Sequence, residues 1–112
     1  MSASDVIVVT TNDIPGHRVV RVHGEVFGLT VRARNLFSNI GASLRTLVGG
    51  EARGYTKLLS ETRDEAVQRL REAAAEAGCN AVLAMRFDTG DIGEVLNEVA
   101  AYGTAVVVVA EQ

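Results

Sequence analysis

Three residues of this sequence carry side chains that bind soft metal ions: His17, His23 and Cys79. The histidines are an even number of residues apart, so a regular strand would present both on one face, about 20 Å from each other. One straight strand therefore cannot bring both to a single ion. Cys79 is the only cysteine and has no C-x-x-C partner. Two hypotheses stay open: a metal site of Cys79 with His17 or His23 of a neighbouring subunit, or a small, partly buried Cys79 where a helix ends.

The segment GGEARGYTK, from Gly49 to Lys57, is close to the phosphate-binding pattern G-x-x-x-x-G-K-[ST]. Tyr55 stands where the pattern has its lysine, and Thr56 and Lys57 come in reversed order. The segment also follows a predicted helix, whereas a phosphate loop follows a strand. The sequence therefore favours a turn between two helices, capped by glycine.

Four carboxylates surround the glycine of DTGD, and their spacing differs from that of a calcium loop: Asp88, Asp91, Glu94 and Glu98. We interpret them as a solvated acidic hairpin. No serine, cysteine or histidine occurs in a nucleophile motif such as G-x-S-x-G. We therefore expect a protein without enzymatic activity.

The chain has 112 residues and a net charge of −3, with no cluster of lysine or arginine. This length predicts a single domain, residues 1–112, and this charge argues against nucleic acid as a partner. The N-terminal residues and the longest apolar run predict neither a signal peptide nor a membrane span. A lone cysteine is typical of a reducing compartment, so we expect a cytoplasmic protein without a membrane partner.

Periodicity predicts the elements that must position these residues. The expected order is β-β-α-α-β-β-β, an α+β fold with a mostly antiparallel sheet, one short helix and one long helix. The long helix should end at Gly78, and Gly24 and Gly28 should permit bending or close approach of another backbone. The predicted strands span residues 6–9, 18–31, 81–87, 94–100 and 103–110, and the predicted helices span 36–48 and 55–77.

The run TAVVVVA, residues 104–110, does not alternate between apolar and polar side chains. A strand with one solvated face should alternate, so the run predicts a strand that is covered on both faces. Two helices can cover only one face. We therefore expect a second copy of the chain to cover the other.

Five segments, in order along nearly the whole chain, resemble the YbjQ-like family of small bacterial proteins, which are labelled as heavy-metal-binding. They are TTNDIPGHRV, HGEVFG, SLRTLVGG with the tyrosine that follows it, AGCNAVLAM and GTAVVVV. The resemblance implies a dodecin-like subunit assembled as a pentameric ring.

The resemblance directs attention to the bend between the predicted helices. Arg45 and Tyr55 match the family pattern, while Glu51 and Thr56 depart from it, and Arg53 lies close enough to replace a missing charge. We expect Arg45, Glu51, Arg53 and Tyr55 to bind a ligand where subunits meet. The sequence as a whole predicts a cytoplasmic, non-enzymatic homopentamer that binds a small ligand or a metal ion, with no cofactor identified.

Overall fold

A computed structural model of the chain describes residues 2–33, 53–93 and 96–112. A short 3-10 turn at Ala3–Asp5 precedes a helix and four strands, which are β1 (Ile7–Val8), β2 (His17–Ala33), α1 (Arg53–Glu76), β3 (Ala81–Ile92) and β4 (Leu96–Ala110). The sheet order is β1-β3-β4-β2; β1 pairs parallel to β3, and the other two pairs are antiparallel. The predicted α+β class and mostly antiparallel sheet are confirmed. The predicted short helix, residues 36–48, lies outside the described residues.

Helix α1 packs on the sheet through a stripe of buried side chains spaced four residues apart: Thr62, Ala66, Leu70 and Ala74. Residues at this spacing lie on one face of a helix. The helix ends as predicted at Gly78, which has a φ of +74°. The Gly78 amide donates to the Ala75 carbonyl and the Cys79 amide to the Ala74 carbonyl, as in a glycine-capped helix end.

Strand β2 passes under α1 at Gly28, the close approach that the sequence predicts. A Cβ atom at Gly28 would overlap the carbonyl oxygen of Ala66 and the amide nitrogen of Leu70. Glycine is therefore required by the contact between the two backbones. Gly24 differs, because it has a φ of +125° and open space where a Cβ would be, so its role is conformational.

One ion pair, between Arg32 and Glu65, and one hydrogen bond to the β2 backbone join α1 to β2 near this crossing. Glu65 accepts hydrogen bonds from Arg32 of β2 and, at 2.6 Å, from Arg69 one helical turn further on. Arg69 also donates to the Leu29 carbonyl. The hydrogen bond from Arg32, with the positive charges of both guanidinium groups, lowers the pKa of Glu65.

Two predicted boundaries in the C-terminal sheet are wrong. The sequence predicts a turn at residues 88–91, but these residues continue β3 and pair with β4 from Asp88↔Ala100 to Asp91↔Asn97. The two strands predicted over 94–100 and 103–110 form the single strand β4. Gly103 lies within it because a Cβ there would come 2.6 Å from Val82 Cγ1 and 2.8 Å from the Leu83 carbonyl oxygen.

The valine run is covered on both faces, but within one chain. Ala105 belongs to the core beneath α1, whereas Val106 and Val108 pack on the opposite face with Val9 and Ile14. The N-terminal segment therefore supplies the cover that we expected from a second copy. The valine run alone no longer argues for self-association.

The side chain of Asn80 forms hydrogen bonds with the end of β4, a contact that no sequence motif predicts. Its side-chain nitrogen donates to the Val108 carbonyl at 2.9 Å, and its side-chain oxygen accepts from the Val108 amide at 2.8 Å. The amide side chain thus takes the place of a paired strand residue and extends the β3–β4 ladder beyond Ala81, the first residue of β3.

Helix α1 is too short to cover the sheet. At about 1.5 Å per residue its 24 residues span about 36 Å, while the 17 residues of β2 span about 56 Å at 3.3 Å per residue. Within the described residues, α1 therefore leaves part of the sheet uncovered on its own side, and several side chains on the other surface, such as Phe27, are exposed. The described part of the chain contains no helix long and apolar enough to cross a membrane.

Candidate functional site

The sheet surface opposite α1, here called the outer face, carries an exposed apolar patch. Strand alternation creates it, because Val26, Gly28 and Thr30 of β2 point towards α1 and are buried. The side chains between them point the other way, and Phe27 is 54% exposed. The patch comprises Phe27, Leu29 and Val31 of β2 with Tyr102 of β4, and the largely buried Ala100 of β4 lies on the same face.

Strand register places this patch in rows. Phe27 lies directly opposite Tyr102, and Leu29 lies opposite Ala100. Side chains directly opposite on one face of a sheet are about 5 Å apart at Cβ, so the two aromatic rings are neighbours. Ala100 has the smallest side chain among these residues, and the surface is therefore hollow above it.

A groove of about 410 Å³ occupies this hollow. Its floor and walls include Ala100, Leu29 and the two rings, and three carboxylates complete its lining: Glu25, Asp88 and Glu98. Asp88 lies opposite Ala100 on β3, while Glu98 lies two residues before Ala100 on β4. The groove thus combines an aromatic and aliphatic surface with negative charge.

Arg86 belongs to the same face, directly opposite Tyr102. Its Nη1 donates to the carbonyl oxygen of Thr10 at 2.9 Å and to its own neighbour's carbonyl, that of Met85, at 2.8 Å. The guanidinium is therefore attached to the backbone at the edge of the sheet. It forms no ion pair with the groove carboxylates among the described residues.

A second depression, of about 430 Å³, lies on the α1 side near the β3–β4 connection. Its lining comes from one helix residue and from both strands: Leu59, Thr89, Gly90, Asp91, Asn97, Glu98 and Val99. Two of the carboxylates that we assigned to an acidic hairpin, Asp88 and Asp91, thus fall on opposite faces of β3. Glu94 lies outside the described residues.

Cys79 is fully buried in the core beneath α1. The Arg21 guanidinium covers it, donating from Nη2 to the Ala77 and Gly78 carbonyls at 3.3 and 3.4 Å and lying 3.9 Å from the Cys79 sulfur. A positive side chain at the carboxyl end of a helix also favours the helix dipole. This environment matches a small buried cysteine at the helix exit.

The two histidines lie apart on β2. His17 is at the start of the strand, where its Nδ1 is 3.1 Å from the Pro15 carbonyl oxygen, and His23 is exposed at a strand irregularity. Within residues 2–33, 53–93 and 96–112, no three His, Cys, Asp or Glu side chains are grouped so as to hold a metal ion. A metal site shared between subunits stays a prediction.

The ligand site predicted at the helix–helix bend falls largely beyond the described residues. Arg45 and Glu51 lie outside them. Arg53 and Tyr55 belong to the first turn of α1, of which the backbone alone is described. Their part in ligand binding stays a prediction.

Sequence reasoning missed the outer face. The signal was present in the segment VFGLTV, residues 26–31, where Phe27, Leu29 and Val31 form a fully apolar set that alternates with Val26, Gly28 and Thr30. One set packs against α1, so the other set must cover a second surface. The acidic residues of the groove come from three strands, and only the register of the sheet brings them together.

The fold defines a class of small α+β proteins in which one long helix crosses a mostly antiparallel sheet. A crystal structure from Pediococcus pentosaceus, of a protein of unknown function in the DUF74 family, is similar to this chain with a TM-score of 0.59. The match covers 93% of this chain and 98% of that one at 15% identity, and so concerns the fold.

The chain belongs to the YbjQ family, whose model, described as "Putative heavy-metal-binding", matches residues 6–109. A UPF0145 protein of Streptomyces coelicolor is 63% identical over 94% of this chain and 99% of its own length. A UPF0145 protein of Thermoplasma volcanium is 55% identical over 93% of this chain and 85% of its own length. The family that the sequence motifs indicated is therefore confirmed.

Proposed function

We propose that this protein is a cytoplasmic, non-enzymatic homo-oligomer, assembled as a pentameric ring, which binds a small ligand or a metal ion in the clefts between its subunits. One observation carries the proposal. Strand β2 lies at the edge of the sheet and bears six of the ten exposed large hydrophobic side chains among the described residues: Val19, Val20, Val22, Phe27, Leu29 and Val31.

An edge strand of this kind favours a partner strand. The backbone donors and acceptors on the outer side of β2 have no neighbouring strand among the described residues. Soluble proteins protect such edges with charge, proline or bulges, or by pairing them with another chain. β2 has two register shifts, at Val19/Arg21 and Val22/Gly24, but is regular from Gly24 to Ala33. Ten residues of regular edge are thus available to a neighbouring copy.

The opposite side of the sheet offers a second edge. β1 pairs only with Ala81 and Val82 of β3, and backbone hydrogen bonds from the N-terminal segment reach no further than Met85. Residues 86–92 of β3 therefore have no strand on the side away from β4 within the described chain. When two different edges of one chain pair from copy to copy, the contact is head-to-tail, and it closes into a ring if the rotation permits.

The oligomer is tested by native mass spectrometry at micromolar concentration, where we expect a pentamer. Val31→Lys places a charge within the regular part of the β2 edge, at a side chain that is 42% exposed, so it should leave the fold intact and release monomers. Val109→Lys is the matched control, because Val109 is also exposed but lies on the central strand β4. We expect this variant to remain pentameric.

Two results would contradict the assembly. A wild-type protein that is monomeric at micromolar concentration removes the ring. A Val31→Lys protein as fully assembled as Val109→Lys removes the β2 edge as the interface. Circular dichroism of both variants distinguishes loss of assembly from loss of fold.

A soft-metal carrier is the second candidate, and the family description favours it. In this alternative Cys79 and a histidine of a neighbouring subunit bind the ion. The burial of Cys79 beneath Arg21 argues against it, since a second chain could reach the sulfur only after the guanidinium moves.

Metal analysis after anaerobic purification tests the carrier. We expect wild type, Cys79→Ser and Cys79→Ala to contain equal and substoichiometric metal, because the buried sulfur is inaccessible. Cys79→Ala introduces no polar atom into the core and thus guards against an effect of misfolding. Stoichiometric metal in wild type that is lost in both folded variants would establish the carrier instead.

A further inference from the structure

We infer that the groove on the outer face binds a small organic cation that carries apolar groups. The inference rests on the proposed function and specifies its ligand, because Glu25, Phe27 and Leu29 belong to β2, the edge at which we place the neighbouring copy. A copy paired at this edge borders the groove and turns it into a cleft between subunits.

The charge of the groove selects a cation. Three of its seven lining residues are carboxylates, and Arg86, the basic residue of the same face next to Tyr102, is hydrogen-bonded to backbone carbonyls at the sheet edge. Three carboxylates outnumber this one guanidinium, so an anion placed here would meet a net negative charge. A cation would be attracted to it, and partial enclosure would strengthen that attraction relative to open water.

The spacing of the carboxylates selects an organic cation over a metal ion. Asp88 and Glu98 lie on neighbouring strands, two rows apart in register, and Glu25 lies on the third strand. Ca²⁺ and Mg²⁺ need oxygen ligands within about 2.6 Å of the ion, and no three acidic, histidine or cysteine side chains of the described residues are so grouped. A cation several ångströms across can face separated carboxylates without being coordinated by them.

The remaining lining selects apolar substituents on that cation. Phe27 and Tyr102 are adjacent and both exposed, and Leu29 and Ala100 complete the apolar surface. Aromatic faces attract alkylammonium groups, with a contribution of about 0.5–2 kcal/mol that grows as water is excluded. The alkyl or aryl part of the ligand would cover the exposed rings, while its charge faces Asp88 and Glu98.

The probe for this site is benzyltrimethylammonium, measured by titration calorimetry against the wild-type protein. Phenylacetate has the same ring with a negative charge, and benzyl alcohol has it without charge. We expect saturable binding of benzyltrimethylammonium alone, and about tenfold weaker binding to the double variant Asp88→Asn/Glu98→Gln because two attractive charges are lost. Asp64→Asn/Glu76→Gln removes the same charge from exposed positions of α1 and should bind as wild type does.

The aromatic contribution is tested separately by Phe27→Leu, which keeps an apolar side chain at the same exposed position. We expect about a fivefold loss of affinity for the cation, from the loss of one cation–π contact. Equal binding of benzyltrimethylammonium and phenylacetate, or unchanged affinity in the Asp88→Asn/Glu98→Gln protein, would overturn the inference.

Native mass spectra of the same samples separate this inference from the proposed assembly. A pentamer that does not bind the probe, as when a basic side chain of the neighbouring copy fills the groove, refutes the organic cation and leaves the ring. A monomer that binds the probe with the expected preference refutes the ring and retains the cation site.

Discussion

Replacing Gly28 with alanine is expected to lower the free energy of unfolding by about 3 kcal/mol or more. The new methyl group would overlap the Ala66 carbonyl oxygen and the Leu70 amide nitrogen and would lie 2.9 Å from the Arg69 carbonyl carbon. All three are backbone atoms of α1, so no side chain can rotate away. The helix must separate from β2 or the strand must bend, and overpacking of this kind costs about 1–3 kcal/mol or more. Urea denaturation followed by circular dichroism measures the change.

Gly90→Ala is the matched control for this experiment. Gly90 is also a strand glycine, but nothing lies within 4 Å of the position where its Cβ would be. We expect its free energy of unfolding to change by about 0.5 kcal/mol or less, since surface substitutions are usually this mild. Both proteins are compared at one subunit concentration, because the stability of an oligomer depends on concentration. Equal stability of the two variants would refute the close packing of α1 on β2.

The contact at Gly28 shows how far sequence reasoning extends in this protein. Two glycines in one predicted strand indicate either close approach or unusual backbone conformation, without assigning one to each. The structure assigns close approach to Gly28 and a positive φ to Gly24. The assignment depends on where α1 crosses the strand, which is a property of tertiary packing.

The positions of α1 and β2 could be predicted because their signals are local. The helix has a four-residue stripe and a terminal glycine, and β2 is rich in β-branched residues. The boundary between β3 and β4 could not be predicted from the sequence. DTGD has the composition of a turn, yet pairing with β4 holds residues 88–91 in extended form. Tertiary pairing overrides local propensity at such positions.

The candidate site on the outer face could not be predicted from the sequence for a related reason. Metal-ligand residues such as Cys79 attract attention in a sequence, but the fold encloses Cys79 and separates His17 from His23. Phe27, Tyr102 and the groove carboxylates have ordinary residue types and come from three strands. Their juxtaposition follows from the antiparallel registers of β2, β4 and β3, which no short motif records.

Replacing Thr30 with valine is expected to raise the free energy of unfolding by about 1 kcal/mol or more. Thr30 of β2 is fully buried beneath α1, and its hydroxyl has no hydrogen-bond partner among the residues that the structure describes. Burial of an unpaired hydroxyl costs about 1–3 kcal/mol because the group loses its hydrogen bonds to water. Valine has nearly the same shape and no polar atom, so it removes this cost and retains the packing. Urea denaturation of both proteins at equal concentration measures the gain.

Thr62→Val is the control that ties the effect to the missing partner. Thr62 is equally buried on the facing side of the same core, but its hydroxyl donates to the Leu58 carbonyl at 2.7 Å. Valine here removes a satisfied hydrogen bond, and a net loss of about 0.5–1.5 kcal/mol is expected. The two substitutions delete the same atom from the same interface and should shift stability in opposite directions. A Thr30→Val protein that is as destabilised as Thr62→Val would mean that the Thr30 hydroxyl has a partner in solution, and that the contact between α1 and β2 differs from the one described.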